Sequence, residues 1–191
     1  MRTRPSQDGF TLLDALMAIG LIATISAMAV PAIQGLNDSF LLGQAQQLVV
    51  SELQQARLKA VTANRIVRVR FNCPGVGLFR RVELIGTPSA PASQDVASDR
   101  CTESNYPYPP ADANVVTLPN HDGPVRRLPA QVSFGATRTL EFRPDGTVYG
   151  VASDGTSSPL GGTGTAITVV KGTGVRSVTV NSYGKIESVR Q

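Results

Sequence analysis

Tryptophan is absent from this 191-residue chain, and histidine occurs once, at His121. Aromatic residues make up only 5% of the sequence, so a folded core has to be built mainly from Val, Leu, Ile and Ala. One histidine and two cysteines are too few to supply a metal site of the His/Cys type. We therefore expect no metal and no cofactor.

Catalytic motifs are equally scarce. His121 lies in a loop flanked by proline and glycine, so a Ser-His-Asp arrangement would depend entirely on that residue. The glycine-rich run Gly161–Gly164 lacks the lysine and the strand–loop–helix context of a phosphate-binding loop. The sequence therefore predicts that the protein is not an enzyme.

Long apolar segments are confined to one place, where the chain reads FTLLDALMAIGLIATISAMAV from Phe10 to Val30 with Asp14 as its only charge. As a helix this run extends about 30 Å, the thickness of the hydrocarbon core of a bilayer. A buried helix of a soluble domain is one alternative, and a secretory signal peptide with small residues at 26–29 is another. Asp14 argues against the signal peptide, since a carboxylate in an apolar segment needs a compensating partner. We expect a transmembrane helix over residues 10–31.

Flanking charges predict how this helix is oriented. Arg2 and Arg4 precede the apolar run, and no Lys or Arg follows it until Arg57. The positive-inside rule then leaves the N-terminus in the cytoplasm and places everything after Pro31 on the other side of the membrane.

The start of the apolar run carries the most specific motif, Gly9-Phe10-Thr11-Leu12-Leu13-Asp14, directly after a short basic leader. This run resembles the type IV prepilin signature. In that family, prepilin peptidase cleaves after the glycine and methylates the new N-terminal phenylalanine. The resemblance implies a cleaved leader over residues 1–9, with the cut between Gly9 and Phe10 and N-methylation of Phe10. Asp14 takes the acidic position, and Pro31 takes the position of the helix-bending proline.

Asp14 has an assembly role by this resemblance. In the family the acid pairs with the N-terminal amine of a neighbouring subunit. Because a buried charge without its partner costs several kcal/mol, this pairing favours one axial position of the subunit along the fibre. The family usually has Glu, so the shorter Asp here is a departure. The alternative is that Asp14 only caps the helix N-terminus, where the helix dipole favours an anion.

Beyond Pro31, which is expected to bend or interrupt the helix, residues 32–65 predict an amphipathic helix. Apolar side chains recur there at steps of mostly three and four residues, and Thr62–Asn64 is the predicted end. The members of this stripe are Leu41, Ala45, Leu48, Val49, Leu53, Ala56, Ala60 and Ala63.

Residues 66–191 predict a β-rich head. Alternation and turn residues favour strands at 66–71, 78–85, 115–118, 132–134, 139–142, 147–151, 166–170 and 175–180, with an edge strand at 183–189. Residues 86–114 show no clear period, and Pro144-Asp145-Gly146 predicts a tight hairpin turn. The fold class is therefore α+β, a long N-terminal helix packed on an antiparallel sheet.

Three stretches of the head resemble the minor pilins and pseudopilins called FimT/FimU and GspH. They are SELQQARLKAVTANRIVRVRF at the end of the helix, LEFRPDGTVYG at the hairpin, and VRSVTVNSYGKIES near the C-terminus. The resemblance implies the type IV pilin fold.

Cys73 and Cys101 are the only cysteines, and the predicted orientation places both outside the cytoplasm. An even pair in an oxidising compartment favours a disulfide, which would tether the long loop to the first strand. Two buried free thiols are the alternative.

Basic residues cluster at Arg65/Arg68/Arg70, Arg80/Arg81 and Arg126/Arg127, and the default interpretation is solvated surface charge. FimT-like pilins of some competent bacteria bind DNA through a basic Gly-Arg-x-Arg tail. Here Lys185 and Arg190 are the tail cations, but Glu187 stands where the second Arg would be and repels phosphate. DNA is a candidate partner that the sequence does not favour.

The sequence thus predicts a minor structural subunit of a type IV pilus in a tip or priming complex. One alternative is a GspH-like minor pseudopilin of a type II secretion system, and another is a DNA-binding minor pilin of natural transformation. The implied partners are prepilin peptidase, other pilins or pseudopilins and the bacterial inner membrane. The implied location is a single-pass inner-membrane precursor with a periplasmic head, then a pilus or pseudopilus fibre.

Overall fold

The computed structural model describes residues 11–84, 86–87, 90–91, 100–104, 122–136 and 138–190. One long helix, α1 (Leu12–Ala63), precedes a series of short strands. The chain divides into two compact units, Met1–Ser39 and Phe40–Gln191, so the first part of α1 belongs to one unit and the rest to the other. The α+β class predicted from the sequence is confirmed.

Helical structure continues through Pro31, so the interruption that the sequence allowed does not occur. Across the described part of the chain, no helix combines the length and the apolar character needed to cross a membrane.

The second part of α1 is amphipathic, as its residue spacing predicts. Six apolar side chains spaced by three or four residues are buried against the strands: Leu42, Ala45, Val49, Leu53, Ala56 and Ala60. Leu41 and Leu48 of the predicted stripe are only partly buried. Two polar residues in the same rows, Gln46 and Glu52, are also buried, although the polar residues of an amphipathic helix are expected on its exposed face.

The helix ends where Thr62–Asn64 predicted. Asn64 adopts the left-handed conformation with a φ of 51°, and the Arg65 N–H donates to the Ala60 carbonyl at 3.2 Å. A residue in this conformation just past the last turn is a common way to end a helix, and Asn tolerates it better than most residues other than Gly.

In the part of the chain that the structure describes, twelve strands follow the helix. They are β1 Val67–Arg70, β2 Leu78–Glu83, β3 Gly86–Thr87, β4 Ala90–Pro91, β5 Arg126–Arg127, β6 Ser133–Phe134, β7 Thr139–Phe142, β8 Val148–Val151, β9 Ser157–Pro159, β10 Thr165–Lys171, β11 Gly174–Val180 and β12 Ile186–Arg190.

The pairings among these twelve strands are all antiparallel. A six-stranded sheet has the order β5-β2-β1-β7-β8-β9, a four-stranded sheet has the order β12-β11-β10-β6, and β3 pairs with β4. The predicted hairpin turn joins β7 to β8, with Gly146 at a φ of 83° and its N–H donating to the Arg143 carbonyl at 2.9 Å. The predicted strand at 115–118 lies outside the described residues.

The core is aliphatic with a small aromatic cluster. Valine supplies many of the fully buried positions, including Val67, Val69 and Val178. Phe71, Phe79 and Phe134 meet with ring centroids 5.1–5.7 Å apart. Although the core is aliphatic as expected, these phenylalanines are a larger part of it than the composition suggested.

Candidate functional site

Asp14 lies in the first turn of α1 and forms a reciprocal cap with Thr11. Its Oδ2 accepts hydrogen bonds from the Thr11 N–H at 3.2 Å and from the Thr11 hydroxyl at 2.6 Å. The Asp14 N–H in turn donates to the Thr11 hydroxyl oxygen at 3.3 Å. This is the arrangement of a capping box, with the acid three residues after the N-cap. The capping role that the sequence left open is therefore present in the isolated chain.

The cap does not use the whole carboxylate. Both bonds from Thr11 end on Oδ2. An ionised carboxylate has about four acceptor positions on its two oxygens, so Asp14 keeps acceptor capacity for a second donor. Gly9 and Phe10, the predicted cleavage residues, lie outside the described residues, as does the side chain of Pro31.

The first part of α1 presents apolar side chains on all sides. Leu12 is 81% exposed, and the other large apolar residues up to Ile25 are 60–66% exposed. They are Leu13, Leu16, Met17, Ile19, Leu21, Ile22 and Ile25. Successive helical positions are 100° apart, so these residues cover the full circumference rather than one stripe. A helix that is apolar all round is typical of segments covered by other protein or by lipid.

The predicted disulfide between Cys73 and Cys101 is confirmed, with the two Cα atoms 5.6 Å apart. Cys73 follows β1 and is buried. Cys101 comes directly after Arg100. The bond therefore joins the end of a core strand to the loop that carries a buried arginine.

A cluster of buried charges lies next to this disulfide. Arg100 Nη2 donates to Asp122 Oδ1 at 2.6 Å and to the Glu83 carbonyl at 2.8 Å. Arg80 donates through Nη1 to the Arg100 carbonyl at 2.7 Å and through Nε to the Gly123 carbonyl at 2.8 Å. Burial raises the pKa of Asp122, while the Arg100 guanidinium and the Glu83 N–H oppose that rise. These bonds join Arg100, Asp122 and Gly123 to β2.

Glu52 connects the helix to the same region. It is fully buried on α1, and its carboxylate contacts Arg81 Nη1 at 3.3 Å and Arg126 Nε at 2.5 Å. Arg81 belongs to β2 and Arg126 to β5, so one carboxylate holds two neighbouring strands to the helix.

A second buried pair lies within the six-stranded sheet. Arg68 donates through Nε and Nη2 to Glu141 Oε2 at 3.0 and 2.8 Å, and the two side chains are 1% and 0% exposed. Glu141 Oε1 accepts a third bond from Arg143 at 3.0 Å. The Arg143 guanidinium also lies 3.5 Å from the centroid of the Tyr149 ring, a cation–π contact.

These contacts correct the interpretation of the basic clusters as solvated surface for four residues, since Arg68, Arg70, Arg80 and Arg81 are all buried. Arg65 and Arg127 of the same clusters are exposed, as the sequence predicted. Val and Arg alternate along β1, and both faces of this strand are covered. Buried arginines in this chain bind carboxylates and carbonyls of the head itself.

Lys185 is the tail cation whose side chain the structure describes. Lys185 is exposed, and its Nζ lies 2.6 Å from Glu187 Oε1. The side chain of Arg190 lies outside the described residues. The acid that replaces arginine in the tail motif therefore pairs with the cation beside it.

Sequence reasoning missed the acidic partners, although one signal for Glu52 was available. Glu52 lies three residues after Val49 and four before Ala56, both on the apolar stripe, so helical geometry already placed it on the buried face. Glu141 and Asp122 lie far along the chain from their arginines, and only the folded sheet brings them together. Among the described residues, no group of His, Cys, Asp and Glu could hold a metal ion.

Among known proteins, matches to this chain were found among solved structures. No protein-family model matches the chain, and no curated protein does. Two solved structures match, both of the type IV minor pilin FimU of Pseudomonas aeruginosa strain PAO1, in crystals of space groups P21 and P65. The first is 16% identical, with a TM-score of 0.43, covering 78% of this chain and 87% of that chain. The second is 15% identical, with a TM-score of 0.39, covering 78% and 92%.

Proposed function

We propose that this chain is a minor structural subunit of a type IV pilus, made as a precursor that is anchored in the bacterial inner membrane. The observation that carries the proposal is the placement of the Gly9–Asp14 signature at the start of a helix whose first part exposes apolar side chains around its whole circumference. That surface fits lipid before assembly and the helices of neighbouring subunits after it.

Processing is the first step of the proposed role. Prepilin peptidase cleaves between Gly9 and Phe10 on the cytoplasmic side, so the whole apolar run stays in the product. Glycine suits this position because a protease can approach a backbone without a side chain closely. Methylation of the Phe10 amine leaves it basic, so it remains a cation that a carboxylate can bind.

Assembly is the second step, and Asp14 is the residue that selects the register. Its Oδ2 is held by Thr11, which orients the carboxylate without exhausting its acceptors. The Phe10 amine of a neighbouring subunit then pairs with Asp14 at membrane depth. An unpaired charge in that environment is costly, so the pair stabilises one axial position along the fibre.

The second unit is the proposed extracytoplasmic head. The Cys73–Cys101 disulfide supports this location, since disulfides persist in oxidising compartments such as the periplasm. The buried arginines and the Lys185–Glu187 pair do not favour DNA binding by this subunit.

A minor pseudopilin of a type II secretion system would use the same processing, helix and head. The genes that flank this one distinguish the two systems, because pilus assembly genes and secretion genes point to different machines. We place the chain in the pilus and expect pilus assembly neighbours.

Intact mass of the protein from its native membrane tests the proposal. We expect loss of residues 1–9 and gain of one methyl group, and we expect Gly9→Val to keep the leader. Gly20→Val is the matched control, because a side chain added at Gly20 meets nothing within 4 Å and leaves the junction unchanged. A mature start at residues 28–31 would instead show an ordinary signal peptide and overturn the proposal.

A further inference from the structure

Strand β12 leaves one edge of the four-stranded sheet open. All five of its residues pair with β11, and no other described strand pairs with its far side. The other edges of the two large sheets are protected: β5 and β6 have two residues each, and β9 ends in Pro159. Short strands and prolines are two of the means by which proteins block pairing at an edge. Among the described edges of these sheets, β12 alone has neither.

The pairing register shows which backbone groups face outward. The Asn181 N–H donates to the Lys185 carbonyl at 3.2 Å. Hydrogen-bonded pairs recur at every second residue of an antiparallel ladder, so Glu187 and Val189 point their backbone groups at β11. The N–H and C=O groups of Ile186 and Ser188 therefore point toward the open edge.

An apolar groove lies beside this edge. It has a volume of about 460 Å³ and runs between α1 and the start of β12. Leu58 and Val61 contribute from the helix and Ile186 from the strand. Leu58 is 62% exposed and Val61 50%, although both are large apolar residues. The sheet thus stops before it covers this face of the helix.

The charged residues that line the groove are both cations, Arg57 and Lys185. Lys185 pairs with Glu187, whereas Arg57 donates only to the Tyr183 carbonyl, at 3.4 Å, among the described residues. We therefore expect this groove to bind a carboxylate more readily than a cationic group.

We propose that an extended segment of a partner protein adds to the open edge of β12 as a further strand. Its backbone pairs with Ile186 and Ser188, and alternate apolar side chains cover Leu58 and Val61. An acidic side chain of the segment binds Arg57. The surface lies wholly in the second unit, so strand addition there does not depend on membrane insertion of the first.

The test uses the full-length chain in detergent micelles and a fluorescein-labelled eight-residue peptide, in which valine alternates with threonine and one valine is replaced by aspartate, so that the aspartate lies on the valine face. Fluorescence anisotropy should show saturable binding. Lysine in place of the aspartate should weaken binding about tenfold, through loss of the contact with Arg57. A peptide of the same composition with its valines in one block should also bind more weakly, because it cannot match the alternation of a strand.

Two variants test whether peptide binding requires the edge of β12 and the apolar groove. Ser188→Pro removes an outward-facing N–H without removing a hydrogen bond to β11, and it should weaken peptide binding roughly tenfold or more. Ser188→Ala is the control, because it keeps the N–H and should bind the peptide as the native chain does. Val61→Glu places a negative charge in the groove at an exposed helix position, repels the peptide aspartate and should also weaken binding. Absence of saturable binding, or native affinity in either Ser188→Pro or Val61→Glu, overturns the proposal.

Discussion

Glu141→Gln tests the buried charges of the head most directly. The substitution keeps the shape of the side chain but removes the charge that faces Arg68, and both partners are fully buried. Removal of one partner of a buried ion pair typically destabilises a protein by about 3–5 kcal/mol, since the other charge is left uncompensated. Native domains are stable by about 5–15 kcal/mol, so this loss is a large fraction of the total.

The paired substitution Arg68→Met with Glu141→Leu should behave differently. It removes both charges and fills the same space with apolar atoms, a change that is often neutral or stabilising by about 1–4 kcal/mol. Arg143, which also binds Glu141, is partly exposed and keeps its contacts with Tyr149 and Ser157. We therefore expect the double variant to be more stable than Glu141→Gln.

Urea unfolding of the full-length chain in detergent, followed by tyrosine fluorescence, measures both variants. Glu187→Gln is the matched control, because it removes an exposed acid from a surface pair and should change the free energy of unfolding by less than about 1 kcal/mol. If Glu141→Gln changes it as little as Glu187→Gln does, Glu141 does not compensate a buried charge and the reasoning is wrong.

Three further predictions concern the disulfide, the assembly residue and the hairpin turn. Cys73→Ser should lower the free energy of unfolding by about 3–4 kcal/mol through loss of a loop constraint. Thiol labelling of the native-sequence protein, denatured but not reduced, should find no free sulfhydryl. Asp14→Ala should insert into membranes normally but be depleted from sheared fibres, whereas Asp14→Glu should be incorporated at least as well as the native chain. Hydrogen bonds from the hydroxyl and the N–H of Thr147 lower the pKa of Asp145, so the turn should lose this stabilisation as the pH falls below about 4. An NMR titration of Asp145 should show the low midpoint, and Thr147→Val should raise it.

Each of these has a contradicting outcome. Two labelled thiols would exclude the disulfide, and a native fibre-to-membrane ratio for Asp14→Ala would reduce Asp14 to a helix cap. An Asp145 midpoint that does not move in Thr147→Val would mean that the hydroxyl bond has no effect on the carboxyl group.

Local patterns predicted the elements whose stability is local. The stripe on α1, its end at Asn64 and the hairpin at Gly146 depend on residues within a few positions of each other. The helix end and the hairpin were found where the sequence placed them, and the stripe was found in part, since Leu41 and Leu48 are only partly buried. The two-residue strand β5 and the three-residue strand β9 were missed, because such short segments are defined only by their partners.

The charged part of the core was predictable only in fragments. Arg68 and Glu141 are 73 positions apart, and no sequence pattern signals that β1 and β7 bring them together. Alternation in β1 marked which residues share a face but not whether that face meets water, because coverage comes from distant segments of the chain. The cleavage junction, in contrast, depends on contiguous residues and stays a prediction from the sequence.

The position of the disulfide next to Arg100 has a consequence for the order in which the head matures. Neighbouring Cα atoms are about 3.8 Å apart, so a covalent bond at Cys101 also confines the adjacent guanidinium to the vicinity of Asp122. Oxidation thereby raises the effective concentration of the cation at its buried anion, as any short tether does. Before the cysteines are oxidised, no disulfide holds Arg100 near Asp122, so the two side chains have to find each other without that tether. Completion of the polar interior is thus coupled to the redox state of the compartment that receives the chain.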